Sequence, residues 1–281
     1  MRLVTALTPE AAPLIEHYRL EKVNSSSMFP LYRNDNIYLV VSGIGKTLAS
    51  AATAYVHAMS GELPNQLFLN VGIAGHRRAI TGAPRVASRI TDQSPGQPWY
   101  PSQIICDSLD RSPLITVETV ERVYAKDAAY DMEAAGFYPV AWRASTTELV
   151  QSLKVISDHP GEPVADFNLQ EIQNLIGNSV DEIDSLVKAL QGLSDIVTST
   201  IPKSYSLDPF IERWHFTVTQ RQRLRRVLER WAVLEKDESP LTSVPSDCPS
   251  ARDAIETLEN ALVAKPLDLH VPAAPTRPAL S

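Results

Sequence analysis

Leu153-Lys154-Val155-Ile156-Ser157-Asp158-His159 is an apolar run that breaks on a carboxylate, as a buried strand does where it reaches solvent. Tyr130-Asp131-Met132-Glu133-Ala134-Ala135-Gly136 sets two carboxylates two positions apart, just before small residues that open a helix. In α/β folds, ligands bind in the crevice beyond the carboxyl ends of the strands, so carboxylates at such ends mark a candidate site. Outward from these two segments, residues 3–7, 37–41, 66–71, 85–90 and 114–117 also read as short buried strands. Helices are predicted over 9–18, 47–59 and 134–142, the first with Pro9 in its first turn and the second rich in alanine. Ser42-Gly43-Ile44-Gly45-Lys46 and Gly72-Ile73-Ala74-Gly75 follow two of the strands and read as glycine-rich turns. Alternation of this kind predicts an α/β fold, a twisted mixed central sheet flanked by helices.

Ile172, Leu175, Ile176, Val180, Ile183, Leu186, Val187 and Leu190 recur at three-to-four spacing, giving one or two amphipathic helices over 167–193. These close a first domain at about residue 195. A helical extension is expected over 196–265, with a helix at 207–234, a Pro/Ser-rich linker at 239–249 and a helix at 251–263. Residues 266–281 read as a flexible Pro/Ala-rich tail.

The 281 residues carry a net charge of −7, which argues against a chain-wide role on nucleic acid or an anionic membrane surface. Arg221, Arg223, Arg225, Arg226 and Arg230 crowd one helix, but Glu212, Glu229 and Glu235 interleave with them. A solvated face is expected there, with no nucleic-acid partner. No run of 18 apolar residues exists and the apolar start is too short for a signal segment, so no membrane partner and a cytoplasmic location are expected. Cys106 and Cys248 match no zinc or redox spacing, and no His/Cys/Asp cluster has metal-ligand spacing. Gly43-Ile44-Gly45-Lys46 lacks the spacing of a phosphate loop and the third glycine of a dinucleotide fingerprint. Neither a metal nor an organic cofactor is expected.

Five segments then occur in a telling order: Ala6-Leu7-Thr8-Pro9-Glu10, Ser42-Gly43-Ile44-Gly45-Lys46, Asn70-Val71-Gly72-Ile73-Ala74-Gly75, Asp131-Met132-Glu133-Ala134 and Ile156-Ser157-Asp158. Over residues 1–195 this resembles the nucleoside phosphorylase superfamily, in particular its methylthioadenosine/S-adenosylhomocysteine nucleosidase branch. The resemblance implies hydrolysis of a purine N-glycosidic bond, with a small-molecule nucleoside as partner and a homodimer or higher homo-oligomer as the assembly. It implies Asp158 as the acid at the leaving base, oriented by Ser157, and Glu10 as the group that positions and deprotonates the attacking water. Glu133 is then the acceptor for the ribose hydroxyls, Met132 the apolar floor under the sugar, and Ile73, Ala74 and Gly75 further substrate contacts. The chemistry is coherent, because a purine leaves as a neutral species only if an acid serves its N7 as the bond stretches.

Phosphorolysis differs only in the attacking group and needs cations to hold phosphate. Glu10 stands where phosphorylases of this superfamily supply a cation, which favours hydrolysis. An anion site around Gly43, Gly75 and Arg77 is the phosphorylase alternative, and a non-catalytic nucleoside-binding or scaffolding module is the second. The resemblance supplies no stacking aromatic for the base, and Val120 stands in the approximate place. Asp131 shares a face with Glu133 on a strand and points elsewhere at a turn. Trp99 and Tyr100 sit in a loop suited to capping a pocket or a dimer contact. Alternation points His159 away from the site.

Overall fold

The computed structural model describes residues 1–23, 28–61, 65–94, 96–104, 109–160, 168–200, 205–234 and 239–263. Cys106, Phe167 and the tail 266–281 lie outside the described residues. The chain folds as two compact units, Met1–Thr198 and Ser199–Ser281.

Ten strands among the described residues of the first unit share one sheet. They are β1 (Arg2–Thr5), β2 (Glu21–Lys22), β3 (Leu31–Arg33), β4 (Tyr38–Val41), β5 (Phe68–His76), β6 (Pro84–Asp92), β7 (Pro98–Trp99), β8 (Arg111–Thr116), β9 (Ala129–Asp131) and β10 (Val150–Asp158). β5 pairs in parallel with β1 and β10, and β1 with β4, while β3 and β2 continue the sheet antiparallel. On the other side, β10–β6 is antiparallel, β6–β8 and β8–β9 are parallel, and β9 returns antiparallel to β5. These pairings close a ring through β5, β10, β6, β8 and β9.

Helices α1 (Thr8–His17), α2 (Lys46–Met59), α3 (Ala134–Ala144), α4 (Leu169–Asn178) and α5 (Val180–Thr200) cover the sheet. Successive strand residues face opposite ways. Leu3, Leu39, Leu69 and Leu153 therefore pack in one core with Leu14, Ile176 and Ile183. Val4, Val40, Phe68 and Val150 pack in the other with Ala52, Val56, Phe137 and Ala141. Burial on both faces is why these strands read as unbroken apolar runs. α2 and α3 meet closely at Gly136, where a Cβ would stand 2.1 Å from the Lys46 carbonyl oxygen.

One expectation is overturned. Gly72-Ile73-Ala74-Gly75 is not a turn after a strand but the interior of β5, which runs on to His76. Its glycines leave room for side chains instead: a Cβ at Gly72 would lie 2.8 Å from a Glu10 carboxylate oxygen. The turn at Gly43 and Gly45 is as expected, with φ of 85° and 106°.

In the second unit the expected helix over 207–234 is interrupted, giving α6 (Asp208–Ile211) and α7 (Val218–Leu234). A 3-10 turn at Pro240–Ser243 and α8 (Ala251–Val263) follow. Phe210, Phe216, Leu224, Leu228, Trp231, Ile255 and Leu258 form its own core. Arg223 of the basic helix pairs with Glu259 of α8. Among the described residues, no helix is long and apolar enough to cross a membrane.

Candidate active site

A cavity of about 260 Å³ opens at the rim of the strand ring. Glu10, Ile73, Ala74, Gly75, Val120, Met132, Glu133, Ser157 and Asp158 all line it, together with Ala6, Leu7, Ile44, Val117, Glu121, Tyr124, Tyr130, Asp131 and Ile172. Residues far apart in sequence meet here because β1, β5, β9 and β10 all end at the cavity.

Glu10 lies in the first turn of α1 and is buried. Its Oε2 accepts from the Ala6 and Leu7 backbone N–H groups at 2.9 and 2.8 Å, and its Oε1 from the Ile73 N–H at 3.0 Å. Burial pushes its carboxyl above the usual range, while the Lys154 charge and these backbone donors pull the other way without cancelling the rise. Glu133 precedes α3, and its Oε1 accepts from the Gly45 N–H at 2.9 Å. The glycine turn thus orients a carboxylate of the chain itself. Glu133 is pushed up to about 7, first by burial and then by the Asp131 and Glu10 charges, against the opposing pull of Lys154.

Asp131 does not share the role of Glu133. Its Oδ1 accepts from Thr116 Oγ1 at 2.6 Å and its Oδ2 from the Ala134 N–H at 2.8 Å, which caps the start of α3. The same Oδ2 lies 3.0 Å from Nζ of Lys154, whose ammonium stands 3.9 Å from Glu133 Oε2. Lys154 projects from the middle of β10, opposite Gly72 of β5. Burial alone would lower its ammonium, but the charges of Asp131, Glu133 and Glu10 outweigh it and hold the group above its ordinary value. Lys154 is therefore a cation locked beneath the cavity floor by three carboxylates.

At the opposite wall, the β10–β5 register shifts between Ile156 and Asp158. This irregularity breaks the alternation, so Ser157 and Asp158 both line the cavity. Asp158 Oδ1 accepts from Ser157 Oγ at 2.6 Å, and Oδ2 accepts from the Tyr124 hydroxyl. His159 does not line the cavity.

Trp99 and Tyr100 do not line it either. Trp99 pairs with Ile90 in the sheet, and Tyr100 borders a neighbouring cavity of about 340 Å³. Arg77 donates to the Ala125 carbonyl and Arg78 pairs with Asp127, so both arginines tie down the loop between β8 and β9. Gly43 is likewise not among the lining residues. Of the alternative anion site around Gly43, Gly75 and Arg77, only Gly75 lines this cavity.

Three groups escaped the sequence reading: Tyr124, Lys154 and the capping role of Asp131. A lysine inside an apolar strand was a legible sign of a buried counter-charge. Tyr124 stands in an aperiodic loop and carried no signal. Among the described residues, no group of His, Cys, Asp and Glu side chains could hold a metal ion.

No protein-family model matches the sequence, and no curated protein matches it. Among solved structures, the chain is similar to the 5′-methylthioadenosine nucleosidase of Arabidopsis thaliana, with a TM-score of 0.59, 18% identity, and coverage of 68% of this chain and 95% of that one. It is also similar to the 5′-methylthioadenosine/S-adenosylhomocysteine nucleosidase of Helicobacter pylori, crystallised with butyl-thio-DADMe-Immucillin-A (0.55, 16%, 66% and 97%). The futalosine hydrolase of Helicobacter pylori aligns comparably (0.54, 18%, 66% and 96%). At these identities the likeness is one of fold: the first unit has the fold of these nucleosidases and hydrolases.

Proposed function

We propose that the first unit, with residues 1–195 as its catalytic domain, hydrolyses the N-glycosidic bond of a purine nucleoside of the methylthioadenosine or S-adenosylhomocysteine type. The observation that carries this reading is the convergence of Glu10, Glu133 and Asp158 on a cavity whose lining, among the described residues, contains no lysine or arginine. Phosphate would meet these carboxylates there and, among the described lining residues, no cation, whereas water needs only an acceptor for its proton.

In this reading Glu133 accepts hydrogen bonds from the ribose hydroxyls over Met132. Asp158 supplies a proton to N7 of the purine as the C–N bond breaks. Water adds to the anomeric carbon, forming the new C–O bond, and its proton passes to Glu10. A carboxyl raised by burial is the better base for that step, and the three backbone donors fix its direction. Lys154 keeps the group of buried acids from accumulating uncompensated negative charge.

The test is base release from adenine nucleosides with and without phosphate, for the wild type and Asp158→Asn. Phosphate-independent release that falls by about 100-fold or more in the variant is expected. Strict phosphate dependence would establish the phosphorylase alternative. Nucleoside binding with no turnover would establish a binding module.

A further inference from the structure

The loop between β8 and β9 carries Tyr124 into the cavity wall. The residue is buried, and its φ of 48° lies in the left-handed region that side-chain-bearing residues rarely adopt. Its ring stacks edge-on against Tyr130, with centroids 5.4 Å apart, and its hydroxyl donates to Asp158 Oδ2. Gly75 is what admits it: a Cβ at that position would lie 2.1 Å from the Tyr124 hydroxyl oxygen and 2.5 Å from the ring. Ser157 already occupies the other Asp158 oxygen.

The phenol therefore fills the space between β5 and Asp158, and it bonds to the very group that a leaving base must meet. Tyr124 also packs among Ile115, Val117, Ala128 and Tyr130, so its strained backbone is held in place by its surroundings, as strained residues at functional sites are. The loop is anchored on either side of Tyr124, by Glu118 on Lys46 and by Ala125 and Asp127 on Arg77 and Arg78. It forms neither helix nor strand from 117 to 128, and its tip exposes Val120 and Val123.

We propose that Tyr124 is a latch on the base compartment: its hydroxyl takes the place of a base on Asp158, and substrate binding exchanges one bond for the other. The proposal rests on the nucleosidase reading for what enters the compartment, but not for the latch itself. It also bears on specificity. A ligand that displaces Tyr124 without bonding to Asp158 leaves a buried carboxylate short of a partner, so the latch selects for bases that reach it. The apparent affinity of every such base is lowered by the fraction of molecules that are latched.

Two measurements test this. Nitration of Tyr124 by tetranitromethane, read by peptide mass spectrometry, should be slow in the wild type and several-fold faster in Asp158→Ala, where the latch has lost its acceptor. Calorimetric binding of adenine should tighten about tenfold in Tyr124→Phe, because the closed form loses the hydrogen bond that holds it shut. Unchanged nitration in Asp158→Ala overturns the latch. So does weaker or equal adenine binding by Tyr124→Phe, which would make the hydroxyl a ligand contact or a bystander. Faster nitration with no adenine binding in either protein keeps the latch and sinks the nucleosidase reading.

Discussion

Lys154→Met is the most demanding test of the buried charge network. Methionine keeps an unbranched stem of similar length, so packing between β10 and β5 is retained while the ammonium disappears. That ammonium lies 3.0 Å from Asp131 and 3.9 Å from Glu133, with a side-chain exposure of 2%. Removing one partner of a buried pair costs about 3–5 kcal/mol, because the remaining charge is left without compensation. In a unit of this size that is a fall of roughly 6–20 °C in the unfolding midpoint.

The dependence on pH gives the result its mechanism. Glu133 sits at about 7 against an ordinary 4.5. Its folded-state value is raised, so the stability it contributes is fully present below pH 4.5 and is lost as pH rises through about 7, a swing of roughly 3 kcal/mol. Without Lys154 the pull that restrains this rise is gone, so the variant should lose more at neutral pH than in mild acid. Differential scanning calorimetry of both proteins at about pH 5 and about pH 7.5 measures the difference. An equal shift at the two pH values refutes the electrostatic account. So would a loss under about 1 kcal/mol, the range of an exposed ion pair.

Three further outcomes are expected. The pH profile of kcat/KM for nucleoside hydrolysis should rise through a limb near 7 as Glu133 ionises and becomes an acceptor for the ribose hydroxyls, and Glu133→Gln should abolish that limb. Gly136→Ala places a methyl 2.1 Å from the Lys46 carbonyl oxygen, a backbone atom that cannot swing aside, so a loss of about 1–3 kcal/mol or more is expected in denaturant titrations. His76 accepts the Arg78 and Ala79 N–H groups at Nδ1 and is lowered by burial, so its neutral form is the folded one. The contribution of His76 to stability should fall with decreasing pH below about 6.5, so the gap between wild type and His76→Asn should move in favour of the asparagine variant over that window.

Much of the fold was legible because strand and helix periodicities are local. The apolar runs ending at Val41, Val71 and Ser157, and the alanine-rich helix before Met59, follow from burial on both faces of a sheet. β9 escaped notice because three residues give no periodicity, and β5 was cut short because its glycines imitate a turn. The motif order alone selected Glu10, Glu133 and Asp158, and the residues assigned to them from sequence share one cavity.

By itself, then, the sequence determined the alternation of elements and which carboxylates stand at strand ends, since both depend on near neighbours in the chain. Only the tertiary structure decided what those carboxylates face. Closing the ring from β5 through β10, β6, β8 and β9 brings Lys154 beneath Asp131 and Glu133 and swings Tyr124 onto Asp158. Charge compensation and steric occupancy act through space, over separations of 21 to 34 residues here, and no local pattern encodes them.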